Sequence, residues 1–355
     1  MADPRTQHPF WMYEEIHAQP NAIGDALAAQ SDGVARLAAS LRARPARRLI
    51  VVGTGTSFHA AACSAWLARL AAVPLPTVAV AAYDFATYPL ALARDDAVIV
   101  ISHRGTKNYT GKSLAVAQAA GVLTALVTGQ GAHEAPAGVT VLRTCHQDRS
   151  SAHTVSYTTA LSVLALLLAE FAGDRDLRQS VLMLPDRFSA ALGTESRARE
   201  LADRYADRNR IYFVGGGPHA VTANEAALKV KETSYIVSEG FATEQMLHGP
   251  MQAVESGDLV VAIAPGGASL ARTADLLGAA SEIGAARVAV VSDSTSLNVD
   301  AGIIIPATAE GLSPLVSIVP LQLFAYFSAL ARGRNPDCFR LDDPRYKRAG
   351  TRFQL

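Results

Sequence analysis

Four residues in the second half of the chain could carry acid–base chemistry together. Glu225, Lys229 and Glu232 stand at i, i+4 and i+7 in a stretch that is otherwise Ala, Leu and Val. On a helix that spacing stacks all three along one face. Sixteen residues beyond Glu232 comes His248, in Leu247-His-Gly-Pro250. A carboxylate, an amine and an imidazole within reach of one another form a general acid–base set. The alternative is a solvated stripe of ion pairs, and the long apolar context argues against it.

Two loops in the first half could hold an anion. Gly53-Thr-Gly-Thr-Ser57 follows a β-branched run and opens an Ala-rich helix at Ala60–Leu70. Its glycines permit close approach, and its N–H groups and hydroxyls suit phosphate. The G-x-G-x-x-G pattern of dinucleotide sites is incomplete here: the third glycine is missing, and no acidic residue ends the next strand. A phosphomonoester fits better than a pyrophosphate. Ser102-His-Arg-Gly-Thr-Lys107 places Arg104 and Lys107 before the helix expected at Leu114–Ala120. The helix dipole disfavours cations there, so they call for an anionic partner.

These loops need a scaffold, and the pattern specifies one. Apolar runs at Arg48–Val52, Ala97–Ile101 and Val122–Val127 alternate with helical stretches, the signature of βαβ units and a parallel sheet. Arg210–Val214, Leu259–Ala264 and Ala286–Val291 do the same again. Gly53 to Gly215 is 162 residues, and Ser102 to Ala264 is also 162; the glycines closing two long helices, Gly173 and Gly333, are 160 apart. Three landmarks at nearly one spacing mean two tandem copies of one α/β domain, with the boundary in the polar stretch Pro185–Arg208. Ligands of such sheets sit at the carboxyl ends of the strands.

Composition narrows the class. The chain has 355 residues, half of them hydrophobic and 18% charged, enough for about two cored domains. Lys plus Arg and Asp plus Glu number 32 each, so the net charge is zero. That leaves no electrostatic footprint for nucleic acid or an anionic membrane. Three widely spaced cysteines argue against a disulfide framework or a zinc motif. The apolar stretches, such as Leu161–Leu168 and Ile303–Ile305, read as too short to span a bilayer, and the N-terminus lacks a signal-peptide core. The expectation is a soluble cytoplasmic protein with no metal or cofactor.

Longer motifs carry a family resemblance across essentially the whole chain. Met12–Ile23, Gly55-Thr-Ser-Phe-His-Ala60, Glu225–Tyr235, His248-Gly-Pro250 and Ser313–Leu323, in this order, resemble the isomerase part of glucosamine-6-phosphate synthase. That part is built from two sugar isomerase (SIS) domains. The resemblance implies an opening segment over 1–24, SIS domains over 25–190 and 191–334, and a tail over the active site at 335–355. Each domain is expected as a parallel sheet flanked by helices, doubly wound and flavodoxin-like.

The resemblance also implies roles. Thr56, Ser57 and Ser102 would bind the sugar phosphate beside Gly55. Glu232 would be the base shuttling a proton between C1 and C2, Lys229 would contact the substrate oxygens, and Glu225 would support the helix. His248 would assist ring opening from the neighbouring subunit, which implies a homodimer.

The departures are specific. The family's glutaminase domain, with its nucleophilic cysteine, has no counterpart before this region, and residue 2 is Ala2, so glutamine-dependent amination is not expected. The family's second phosphate loop, Ser-Gln-Ser-Gly-Glu-Thr, here carries His103, Arg104 and Lys107. The sugar-lining run near Ser151 has His153 in place of a serine and Val155 in place of a lysine. For the lysine of the family's mobile tail, Lys347 is the first candidate and Arg340 the second. The expected function is a phosphosugar isomerase acting on a sugar or amino sugar 6-phosphate, by aldose–ketose proton transfer or isomerising deamination. The alternatives are a sugar-phosphate sensor without turnover, or a deglycase acting on a phosphorylated sugar–amine adduct.

Overall fold

The computed structural model describes residues 5–44, 46–88, 90–105, 108–132, 134–341 and 343–352. Helix α1 (Trp11–Ala43) leads into β1 (Arg48–Gly53), α2 (Thr56–Leu70), β2 (Thr77–Ala81), α3 (Ala82–Thr87) and β3 (Asp96–Ile101). Next come α4 (Asn108–Ala119), β4 (Leu123–Thr128), β5 (Thr140–Arg143) and α5 (Val155–Ala172). Three short helices follow, α6 (Arg175–Leu182), α7 (Leu184–Leu192) and α8 (Glu195–Arg204).

The second copy opens with β6 (Arg210–Gly215), α9 (Pro218–Ser234), β7 (Val237–Ala242) and α10 (Thr243–Leu247), then a 3-10 turn at Pro250–Ala253. It continues through β8 (Leu259–Ile263), α11 (Leu270–Ile283), β9 (Ala286–Ser292), β10 (Ala301–Ile305) and α12 (Ser313–Ala331). Helix α13 (Pro344–Gly350) lies in the tail.

Both sheets are parallel and five-stranded. Their orders, β2-β1-β3-β4-β5 and β7-β6-β8-β9-β10, are one doubly wound pattern repeated. It is the flavodoxin-like order, and it puts the reversal between β1 and β3 in one sheet and between β6 and β8 in the other. Each central strand is buried on both faces, as its nearly continuous apolar run requires.

The repeat extends to side chains. Asp96 at the start of β3 is buried, and accepts hydrogen bonds from Arg47, Arg48 and the Ala93 amide. Asp258 accepts the same pair from Arg210 and the Glu255 amide, 162 residues on. At the opposite ends of the sheets, Gly55 and Gly217 precede α2 and α9 with φ 56° and ψ near −126° in both. A side chain would be strained there, whereas glycine is not.

The chain divides into two compact units. One comprises Ala18–Asp148, His153–Pro185 and the segment from Arg340 onward; the other comprises the segment up to His17, Arg149–Ala152 and Asp186–Phe339. The first contains the β1–β5 sheet, the second the β6–β10 sheet. Residue 24 therefore falls inside α1, and the tail divides at Phe339.

In the second unit the start of α1 is capped from a distance. Trp11 and Met12 donate their backbone N–H groups to Asp337, satisfying free helix donors. Arg5 and Arg149 lie on the Trp11 ring at 3.6 and 3.7 Å from its centre. The short segment Arg149–Ala152 is held there by Glu15, which accepts from the Arg149 and Ser150 amides.

Helix α5 packs on α2 and α6 in the first unit, and α12 packs on α9 and α8 in the second. These two helices correct the sequence reading of the apolar stretches. At 18 and 19 residues, with mean hydropathy 1.6, both are long and apolar enough to cross a bilayer. The runs are longer than they look because Ser, Thr and Tyr within them are also buried, their hydroxyls satisfied inside the helix or by neighbours. Both helices lie mostly inside their own units.

Candidate functional site

The turn after β1 is shaped by contact as much as by conformation. A Cβ on Gly53 would lie 2.4 Å from the Ser57 backbone, so only glycine lets the helix start approach the strand end. Gly55, by contrast, faces open space. Thr56 and Ser57 form the first turn of α2 and are half-buried. Their amides lie at the positive end of the helix, where an anion is favoured.

Ser102 follows β3 across the sheet's reversal point and is buried. Its hydroxyl accepts from Thr110 at 3.1 Å, and its carbonyl accepts from Thr128 at 2.7 Å. The Thr110 bond leaves the Ser102 hydroxyl its own proton to donate, and the Thr128 bond ties down the backbone. Arg104 is half-buried four residues before α4, which starts at Asn108 rather than Leu114. It has no carboxylate partner among the described residues. Lys107 lies outside the described residues.

The second sheet's equivalent loops are filled by the protein itself. Ser269 sits against Gly216, where a Cβ would come within 2.1 Å of it. The Glu310 carboxyl group lies against Gly267 and accepts from the Ala268 amide. A carboxylate thus stands against the loop that follows β8.

Helix α9 carries the charged stripe. Lys229 is fully buried, its Nζ 2.7 Å from Glu232 Oε2 and 3.4 Å from Glu225 Oε1. Glu225 is also fully buried, whereas the Glu232 side chain is 21% exposed. Burial works against the Lys229 ammonium, but the two carboxylates outweigh it and hold its pKa above the ordinary value. Lys229 exposes only 1% of its side chain. It holds Glu232, and Glu232 is the member of the stripe that reaches the surface of the unit.

His248 closes α10 and is exposed, its Nε2 2.8 Å from Glu244. Arg272 also reaches Glu244 at 2.6 Å, and these two partners pull the Glu244 pKa down to about 2. Lys347 is exposed on α13, and Arg340 donates to the Tyr346 hydroxyl at 2.7 Å.

A cluster in the first unit escaped the sequence reading in part. His153 and His103 were singled out, and their rings are 6.0 Å apart. Between them stands Asp148, buried. Its Oδ2 accepts from His153 Nδ1 at 2.9 Å, from Ser156 at 2.7 Å and from the Thr154 amide at 3.2 Å. Burial opposes its ionisation, but the His153 bond and the neighbouring imidazoles and hydroxyl hold its pKa below the usual value. Burial pushes the His103 pKa down and, with the charge of Asp148, pushes Cys145 up to about 12. Ligand atoms of His103, Cys145 and Asp148 lie within 4.8 Å of one another. Residues 103, 145 and 148 show no motif spacing in the sequence, and the ends of β3 and β5 bring them together. Ser151, from the same stretch, belongs to the other unit, where its amide donates to the Asp337 carbonyl.

Two open parallel sheets of one winding, each with a glycine turn at its reversal point, define a duplicated doubly wound α/β fold, and the comparisons give it a family. The SIS domain model matches residues 44–170 and 204–332, and the chain belongs to that family. It is homologous to the isomerase portion of glutamine–fructose-6-phosphate aminotransferase. The Thermococcus kodakarensis aminotransferase is 31% identical over 352 residues, covering 93% of this chain and 56% of that protein. The chain thus spans about half the length of the curated relatives it matches.

Solved structures agree in fold. The C-terminal domain of glucosamine-fructose-6-phosphate aminotransferase from Francisella tularensis gives a TM-score of 0.82 at 21% identity, covering 93% of this chain and 98% of that one. The tagatose-6-phosphate ketose/aldose isomerase of Escherichia coli gives 0.83 at 23%, covering 94% and 97%.

Proposed function

We propose that this chain is a phosphosugar isomerase that moves a proton between C1 and C2 of a sugar or amino sugar 6-phosphate. The observation that carries the reading is the buried Lys229, which aims a single accessible carboxylate, Glu232, out of α9. Proton transfer between adjacent carbons passes through an enediolate and needs one base held over both. Glu232 takes the proton from one carbon and returns it to the other. Lys229 keeps that carboxylate oriented.

The phosphate is assigned to the first sheet's loops, on Thr56, Ser57 and Ser102, with Gly55 allowing close approach. Arg104 supplies the charge that a serine loop lacks, since a charge-assisted hydrogen bond is stronger than a neutral one. Its lack of a carboxylate partner among the described residues supports that use.

The reading includes a cytoplasmic homodimer. His248, 68% exposed, is placed to serve ring opening in a neighbouring copy, and Glu244 orients its ring. His153 and His103 contribute to sugar selection on the first sheet's loops. Deamination of an amino sugar phosphate would use the same base.

The test is incubation with hexose 6-phosphates and amino-hexose 6-phosphates in deuterated water, read by NMR. Deuterium entering C1 or C2 of any member supports the reading and names the sugar class. Binding without exchange for every member would make the chain a sugar-phosphate sensor instead.

A further inference from the structure

We propose that His103, Cys145 and Asp148 form a binding site for a divalent transition-metal ion, zinc by ligand type. One imidazole nitrogen, one thiol sulfur and one carboxylate oxygen already lie within 4.8 Å of one another. Nitrogen, sulfur and oxygen in that combination suit a borderline ion such as zinc rather than calcium or magnesium, which take oxygen.

The independent observation is an orphan. Asp148 Oδ1 is buried and has no hydrogen-bond partner, although the Asp148 side chain is 0% exposed. A buried carboxylate oxygen without a partner costs stability, and native structures seldom leave one so. The other oxygen, Oδ2, is saturated by His153, Ser156 and the Thr154 amide. The carboxylate is therefore fixed with one oxygen satisfied and one held ready.

The surroundings complete a ligand shell. His103 Nε2 lies 3.1 Å from the His146 carbonyl, which accepts its N–H and leaves Nδ1 with a lone pair. A metal-bound histidine characteristically donates its other nitrogen to a carbonyl or carboxylate. Thr159 Oγ1 lies 3.3 Å from Cys145 Sγ, so a polar group stands beside the sulfur. Bonds of ~2.0–2.3 Å around a tetrahedral ion place ligands ~3.5 Å apart, so a cage whose atoms lie within 4.8 Å tightens by up to about 1.3 Å on filling. Three protein ligands leave the fourth position for water or a ligand oxygen.

The site lies outside the assigned proton-transfer machinery, because neither Glu232 nor Lys229 belongs to it. It shares His103 with the loop that carries Ser102.

The test is titration of tag-free, chelator-treated full chain with Co2+ and Zn2+. The expected result is one ion per chain, with a thiolate-to-cobalt charge-transfer band in the near ultraviolet. Cys145→Ser should abolish the band, and His153→Gln should weaken binding ~10–100-fold by freeing Asp148. Cys63→Ser and Cys338→Ser should leave the band intact. Circular dichroism establishes that each variant is folded; should Cys145→Ser not fold, Asp148→Asn and Cys145→Ala take its place. A band that survives loss of Cys145, a band lost with Cys338, or no stoichiometric binding overturns the site.

Discussion

Lys229 lies 2.7 Å from Glu232 and is closed off from solvent, a buried counter-ion to a carboxylate that is partly exposed. Of the three charged residues in the stripe, only Glu232 reaches the surface. The geometry divides labour along a single stripe: Glu225 is buried below, Lys229 bridges, and Glu232 faces outward.

Replacing Lys229 with Met should cost more than catalysis. It leaves Glu225 buried without its cation, and breaking a buried pair from one side costs about 3–5 kcal/mol. Urea denaturation of K229M should show that loss. Adding Glu225→Gln should recover part of it, because the uncompensated charge goes. Two losses that simply add would mean the pair is not coupled.

The turn at the end of β1 predicts two unequal glycine variants. Gly55→Ala meets open space but forces φ 56° on a residue with a side chain. It should cost about 1–3 kcal/mol in stability. Gly53→Ala meets the Ser57 backbone at 2.4 Å and must push the loop away. Calorimetry with a hexose 6-phosphate should show weaker binding for Gly53→Ala than for Gly55→Ala.

Acid should weaken the second unit through His219. This residue is fully buried, with Nε2 on Ser313 at 2.5 Å and Nδ1 without a partner. Burial pushes its pKa down from 6.5 to about 4. The unfolded chain then binds a proton the native chain refuses, so stability falls as pH drops from about 6.5 toward 4. The loss reaches ~3 kcal/mol at the bottom of that window. Denaturation midpoints at pH 7 and pH 4.5, compared with those of His219→Gln, check this: the variant should show a smaller difference.

Much of this architecture could be read from the chain because glycines and charged strand ends repeat with it. Gly53 and Gly215 answer one backbone collision, and Asp96 and Asp258 tie down two strands alike, so the 162-residue offset is physical. Depth was harder to read. Positions i, i+4 and i+7 stack on a helix whether its face is wet or buried, and only the packing of α12 on α9 shows the Lys229 side to be dry. The His103, Cys145 and Asp148 cluster was invisible because its members follow different strands. The two apolar helices read short because their buried Ser and Thr look polar in sequence.

The central claim is that Glu232 is the base. The most direct measurement is solvent-deuterium exchange into the responding hexose 6-phosphate, run on the wild type and Glu232→Gln, with binding measured on both. The account predicts exchange reduced at least ~100-fold in the variant while sugar-phosphate affinity stays within a few-fold. Undiminished exchange would place the base elsewhere. Loss of binding together with exchange would make Glu232 a structural residue.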